Sequence, residues 1–186
     1  AYAGTCMMEY SGRSVSMCPM GKDSFGPVVI HEGGGHGFGR LLDEYRYYAA
    51  ELPSDDKNSI KSWRSKDPYY GYNLDLTGDR NKVHWAHYFD RPGYEAVSMY
   101  EGGCLYEYGV WRPEYISCME DNRAYYNAPS REAIVRRIMR ASGKTFNMED
   151  FISKDKIRSE KGAPQTRTDY VTEAFVPFAP PIRVER

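Results

Sequence analysis

The strongest periodic signal in the chain is an apolar stripe at Ile134, Val135, Ile138 and Met139. Its three- and four-residue steps predict one buried face of an α-helix. Ser130, behind Pro129, takes the place of the capping residue. Arg136, Arg137 and Arg140 suit the negative end of the helix, and Gly143 stops it. A second helix start stands at Pro27, where Val28-Val29-Ile30 leads directly into His31. Residues 1–27 are rich in Gly, Ser and Met and predict extended structure and loops around a turn at Ser11-Gly12-Arg13. Pro53, Asp55, Asp56, Pro68, Gly71 and Gly78 mark residues 50–80 as a long irregular excursion. A short helix is expected over Asn81–Phe89, and residues 90–128 alternate turn signals with brief aromatic segments. Beyond Gly143 the chain turns polar, with a Lys/Glu/Arg-rich stretch from Lys154 to Arg167 and an extended end from Pro177 through Pro181. The expected organisation is one domain over residues 1–150 and a polar extension over 151–186.

At 186 residues the chain is long enough for one domain that buries roughly 70% of its unfolded surface. The net charge of -1, with both signs interspersed, argues against a nucleic-acid partner, which leaves a basic patch or stripe. No apolar run approaches the roughly 18 residues of a membrane span. The opening Ala1-Tyr2-Ala3 carries no initiator Met and no signal peptide, and reads as the start of a processed or trimmed piece. Most of the 17 Tyr lie between Tyr45 and Tyr126, where they suit peptide or glycan recognition, or equally the filling of a loop-rich core. The four cysteines form two local pairs, Cys6 with Cys18 and Cys104 with Cys118, and neither has the spacing of a zinc ribbon. Two short-range disulfides would place the protein outside the cytoplasm; four buried thiols are the alternative.

The chemistry concentrates between His31 and Tyr45. The stretch His31-Glu32-Gly33-Gly34-Gly35-His36-Gly37-Phe38-Gly39-Arg40-Leu41-Leu42-Asp43-Glu44-Tyr45 holds half of the chain's His, three carboxylates and five Gly. A catalytic zinc site needs converging neutral imidazoles, a third protein ligand, an open position for water, and a base beside that water. His31 and His36 supply the imidazoles, and Glu32 supplies the base. In a regular α-helix a five-residue step turns the second imidazole roughly 140° from the first. A π-bulge brings the two back to one side, and the three consecutive glycines make that distortion sterically cheap. Gly39 then allows a sharp turn that returns a carboxylate to the metal. Asp43 is the first carboxylate after the turn and the first choice for third ligand, Glu44 the second and Glu101 the third.

This stretch resembles the metzincin zinc motif, and more closely that of the igalysins, the immunoglobulin-A-peptidase-type metallopeptidases, whose motif ends in Asp-Glu-Tyr. A second block, Glu101-Gly102, Val110-Trp111-Arg112-Pro113 and Cys118-Met119, resembles the igalysin segment that leads into the methionine loop beneath the metal. The resemblance covers about residues 25–143. It implies an α+β, metzincin-like zinc peptidase domain in which Met119 lies under the metal and residues 130–142 form the C-terminal helix. Because only 30 residues precede His31, most of the family's N-terminal sheet subdomain is expected to be absent. Implied with the resemblance are Zn2+, a protein or peptide substrate and an extracytoplasmic location. Tyr106, Tyr108 and Tyr115 flank the methionine loop and are candidate donors to the reaction's oxyanion.

Other clusters read as structural. His84 and His87 stand at helical i, i+3 spacing, but with Trp85 and Phe89 beside them a packed aromatic helix is the better account. Asp75 and Asp79 lack the spacing of a calcium cage. Two other functions are compatible with two His and a carboxylate. One is a protein- or glycan-binding module that keeps a metal without turnover, which the intact Glu32 argues against. The other is a non-haem iron oxygenase, in which a Glu beside the first His has no evident role.

Overall fold

Structure is described for residues 4–8, 13–19 and 25–155, in a computed structural model of the chain. The Ser11-Gly12 part of the first expected turn, and the polar and Pro-bearing stretches beyond Asp155, lie outside the described residues.

The Ser- and Met-rich start folds as a hairpin. Strand β1 (Thr5–Met8) pairs antiparallel with β2 (Ser14–Met17), with Cys6 opposite Ser16. The hairpin lies on the helix that follows. A Cβ at Gly37 would sit 3.0 Å from the Ser14 hydroxyl, and one at Gly4 would sit 2.7 Å from the Glu32 side chain. Helix α1 (Phe25–Val29) starts near Pro27 as expected and runs without a break into a π-helical segment, Ile30–Gly39. The wide turn foreseen from the His spacing therefore spans ten residues rather than one bulge. The exit turn differs from the expectation. Arg40, not Gly39, adopts the left-handed conformation (φ 57°), and its N–H bonds back to the last turn. Gly39 is needed for space, since a Cβ there would lie 3.1 Å from the Gly34 carbonyl and from the Ile134 side chain.

A three-stranded sheet follows in the order β3–β5–β4. Strand β5 (Leu105–Arg112) is central, with β3 (Arg46–Glu51) parallel on one side and β4 (Tyr100–Gly103) antiparallel on the other. Strands β4 and β5 gather part of the brief aromatic segments expected over residues 90–128 into this sheet. Helix α2 (Ser54–Lys66) corrects the irregular excursion. It follows Pro53, with Asp55 and Asp56 in its first turn and Arg64 and Lys66 in its last, matching the helix dipole. Ile60 is its one buried residue, so it has no apolar stripe to betray it. The helix expected over Asn81–Phe89 shrinks to a 3-10 turn at Ala86–Tyr88.

Helix α3 (Cys118–Asp121) is a single turn capped by Ser117. Helix α4 (Ala128–Ala141) carries the predicted stripe, but Asn127 caps it, accepting from the Ser130 N–H; Ser130 lies inside the first turn. Gly143, at φ 70°, ends it as expected. Helix α5 (Met148–Lys154) crosses the expected boundary at residue 150, and its Phe151 is buried. The architecture is α+β with small sheets. No helix among the described residues is long and apolar enough to cross a membrane.

Three apolar clusters hold these elements. Trp85, Tyr88, Tyr94, Val97, Ala128 and Phe151 form an aromatic core between α4, α5 and the long loop over residues 67–99. Leu52, Ile60, Leu74 and Val110 join α2 to the sheet. Leu41, Met119 and Ala133 pack beneath the π-helix. The expected disulfides are not formed, and all four cysteines are free thiols. Cys104 packs beside the sheet cluster, whereas Cys118 opens α3, and burial pushes both thiols up to about 12.

Candidate metal centre

The π-helix sets the first two groups. Its wide turn returns the residue five positions on to the same side, so His31 and His36 converge with their Nε2 atoms 3.2 Å apart. Each ring is fixed by its other nitrogen. His31 Nδ1 donates to the Cys118 carbonyl at 2.8 Å, and His36 Nδ1 to the Leu41 carbonyl at 2.7 Å, in the tautomers this network assigns. Both Nε2 lone pairs then face a common point. Arg40 turns the chain back, and Asp43 brings Oδ1 to 3.1 Å from each of the two Nε2 atoms.

This triangle fits a metal ion. Nitrogen and oxygen ligands about 2.0–2.1 Å from a tetrahedral ion stand roughly 3.3 Å from one another. Three lone pairs this close repel one another unless a cation lies among them. Asp43 responds to its neighbours in the same sense. Burial would raise its carboxyl, but the His31 and His36 rings beside it outweigh that and hold it well below the usual carboxylate range. His31 is 4% exposed, so the site is largely sheltered.

Glu32 stands close by, with a carboxylate oxygen within 4.8 Å of both imidazole ligand atoms. That places it at the edge of the triangle, near enough to act on a water beside the two imidazoles. Burial, including the approach of Gly4, raises its carboxyl. His31 and His36 therefore have two carboxylates beside them, Asp43 and Glu32, and His31, Glu32 and His36 by themselves could also hold a metal ion.

Support comes from below. Met119 is fully buried, and its sulfur lies against Gly35, where a Cβ would collide with it. A Cβ at Gly34 would meet the Tyr126 hydroxyl, which donates to the Ile30 carbonyl in the first turn of the π-helix. Glu44, the second choice for third ligand, points away from the metal triangle. It is fully buried and accepts from Ser117 (2.7 Å), Asn73 (2.7 Å) and Asn127 (2.8 Å), tying the Asp43 segment to α3, the long loop and the cap of α4. Desolvation pushes its carboxyl up to about 7. Glu101, the third choice, lies in β4 and accepts from the Gly109 N–H at 3.0 Å, outside the ligand set.

The candidate tyrosines are dispersed. Tyr108 and Tyr115 are each 50% exposed, and Tyr115 packs on Tyr100. Tyr106 packs on Tyr48 and shares with Asp43 the lining of a cavity of about 330 Å³, walled also by Leu52, Ile60 and Trp63. No described hydrogen bond or ring contact joins any of the three to His31, His36, Glu32 or Asp43. Tyr45 does reach the ligands. Its ring stacks on that of His31 (centroids 6.3 Å apart, interplanar angle 29°). The signal for it was its place two residues after the ligand, lost among so many tyrosines. His84 and His87 diverge, His84 stacking on Tyr72 and His87 pairing with Glu132 at 2.9 Å. Asp75 accepts from the backbone N–H groups of Thr77 and His84, a structural role.

No protein-family model matches the chain, and none of the curated proteins searched matches it.

Proposed function

We propose that the chain carries the catalytic site of a zinc-dependent endopeptidase of metzincin type, close to the igalysins, acting on extracytoplasmic proteins, glycoproteins or peptides. The observation that carries this reading is the triangle of His31 Nε2, His36 Nε2 and Asp43 Oδ1, with Glu32 beside it. Two imidazoles and one carboxylate suit zinc, with a position left for water. Zinc supplies a polarised carbonyl and a more acidic water when bound.

The chain's own residues do the rest. Glu32 accepts the proton of the attacking water and returns it to the leaving amine; its raised carboxyl value brings it nearer the working range of a general base. The Cys118 and Leu41 carbonyls hold the imidazole rings in orientation throughout. The cavity that Asp43 shares with Ile60 and Trp63 is a candidate recess for a substrate side chain. Glu32→Ala should keep one zinc per chain and lower peptide hydrolysis at least about a hundredfold. Cleavage of a mixed peptide library, with metal content measured on the same samples, tests this. Undiminished turnover by Glu32→Ala removes the assignment, and wild-type protein that takes up zinc but cleaves nothing points to a metal-bearing binding module.

A further inference from the structure

The apolar stripe of α4, the strongest periodic signal in the sequence, is incompletely covered by the fold. Ile134, Val135 and Met139 are only half-buried, and Ile138 is 49% exposed. The first three line a cavity of about 550 Å³ between α4 and α5, within the roughly 300–1,000 Å³ of small-molecule pockets. Tyr126, Phe146 and Phe151 complete its apolar walls, and none of His31, Glu32, His36 and Asp43 lines it. The polar groups on the lining differ in whether they are already engaged. The Arg131 guanidinium forks onto Asp155 at 2.8 and 2.9 Å, and Lys154 pairs with Asp150 at 2.7 Å. Each of these pairs is closed and cancels in charge. The Asn147 side-chain oxygen accepts from the Asp150 N–H and caps α5, while its Nδ2 amide has no partner among the described residues. Nor has the ammonium of Lys144, three residues earlier. The two groups left over are both donors, and one carries a positive charge.

We propose that this cavity binds a small amphipathic anion, a carboxylate head on an apolar chain or ring, at a site separate from the metal centre. The apolar body lies on the α4 stripe and on Phe146 and Phe151, taking that surface out of water. The head accepts from the Lys144 ammonium and the Asn147 amide. A cationic head is repelled by the ammonium, and an uncharged one gains no charge attraction from it.

Octanoate, octanol and octylammonium are titrated calorimetrically into the full chain at neutral pH. No metal is added, so the outcome does not depend on the centre at His31 and His36. Octanoate is expected to bind once per chain and more tightly than octanol, with octylammonium weakest. Lys144→Glu, at an exposed position, should keep the melting temperature, weaken octanoate about five- to tenfold and leave octanol unchanged. Met139→Trp, which fills the cavity, should abolish binding of octanoate and octanol alike. Octanoate that binds no better than the other two, or that ignores Lys144→Glu, marks a plain apolar groove and overturns the proposal. Octanoate binding that survives Met139→Trp lies elsewhere and overturns it too. So does wild-type protein that binds none of the three, the result expected where another segment of chain or a second copy fills the cavity.

Discussion

Three consecutive glycines in the π-helix look equivalent in sequence and meet different surroundings. Nothing lies within 4 Å of a Cβ placed at Gly33, whereas Gly35 faces the Met119 sulfur. Gly33→Ala is expected to leave metal binding intact and to raise stability by up to ~1 kcal/mol through helix propensity. Gly35→Ala should lower it by about 1–3 kcal/mol through overpacking and weaken metal uptake. Thermal melts and metal content of the two variants check the contrast, and equal behaviour would contradict the packing of Met119 under the helix. A second contrast concerns the carboxylates. Asp43→Ala should lose the metal outright and Glu101→Ala should keep it. Glu44→Ala strands three buried donors, at about 1–3 kcal/mol each, and should show mainly as a lower melting temperature. His31, Glu32, His36 and Asp43 were legible in the sequence because ligand chemistry needs particular residue types at short spacing. Tyr45 and the roles of Glu44 were not, because a ring or carboxylate declares its direction only when the chain around it is folded.

Helix α4 shows how an element can be legible while its fastening is not. Its apolar stripe and its Gly143 stop mark it in sequence, yet Glu132 within it is fully buried and binds His87 (2.9 Å), Tyr88 (2.9 Å) and Arg136 (2.7 Å). Burial alone would raise the Glu132 carboxyl, but the hydrogen bonds and charges of His87 and Arg136 outweigh it and hold it below its ordinary value. The folded chain thus binds this proton less readily than the unfolded chain. The stabilisation is fully present above the ordinary value of 4.5 and is lost as pH falls through the lower folded value. Glu132→Gln should be less stable than wild type at neutral pH, and urea unfolding should show the gap narrowing as pH falls from about 5 to about 3. A gap that widens on acidification would reverse the assigned sign. Helix α2 and strand β3 were illegible for a different reason. Helix α2 buries only Ile60, and β3 is exposed along its whole length, so neither has an apolar period to read. In sequence Pro53 marks a break, yet its fixed φ also suits the residue before a helix.

At the scale of the molecule, helix α5 closes the aromatic core. Asp155, just past its end, pairs with Arg131 at 2.8 Å and accepts from the Tyr94 hydroxyl at 2.8 Å, so α4, α5 and the long loop meet at one largely sheltered carboxylate. Asp155→Ala should cost about 3 kcal/mol, because the guanidinium is left without its partner; a denaturant midpoint within error of wild type would exclude this clasp. The ligand set is local in a way its support is not. His31 and Asp43 lie 12 positions apart, while the carbonyl that orients His31 belongs to a residue 87 positions away. Closing a loop of that length costs an entropy worth ~4 kcal/mol. A chain still unfolded therefore already owns a short, flexible grip for a divalent ion, and gains the rigid one only when the distant turn docks. On the proposed metal reading, an ion held by both states would stabilise the fold by less than its native affinity implies. Metal capture would then have two stages, a loose clasp early in folding and a firm one at its end.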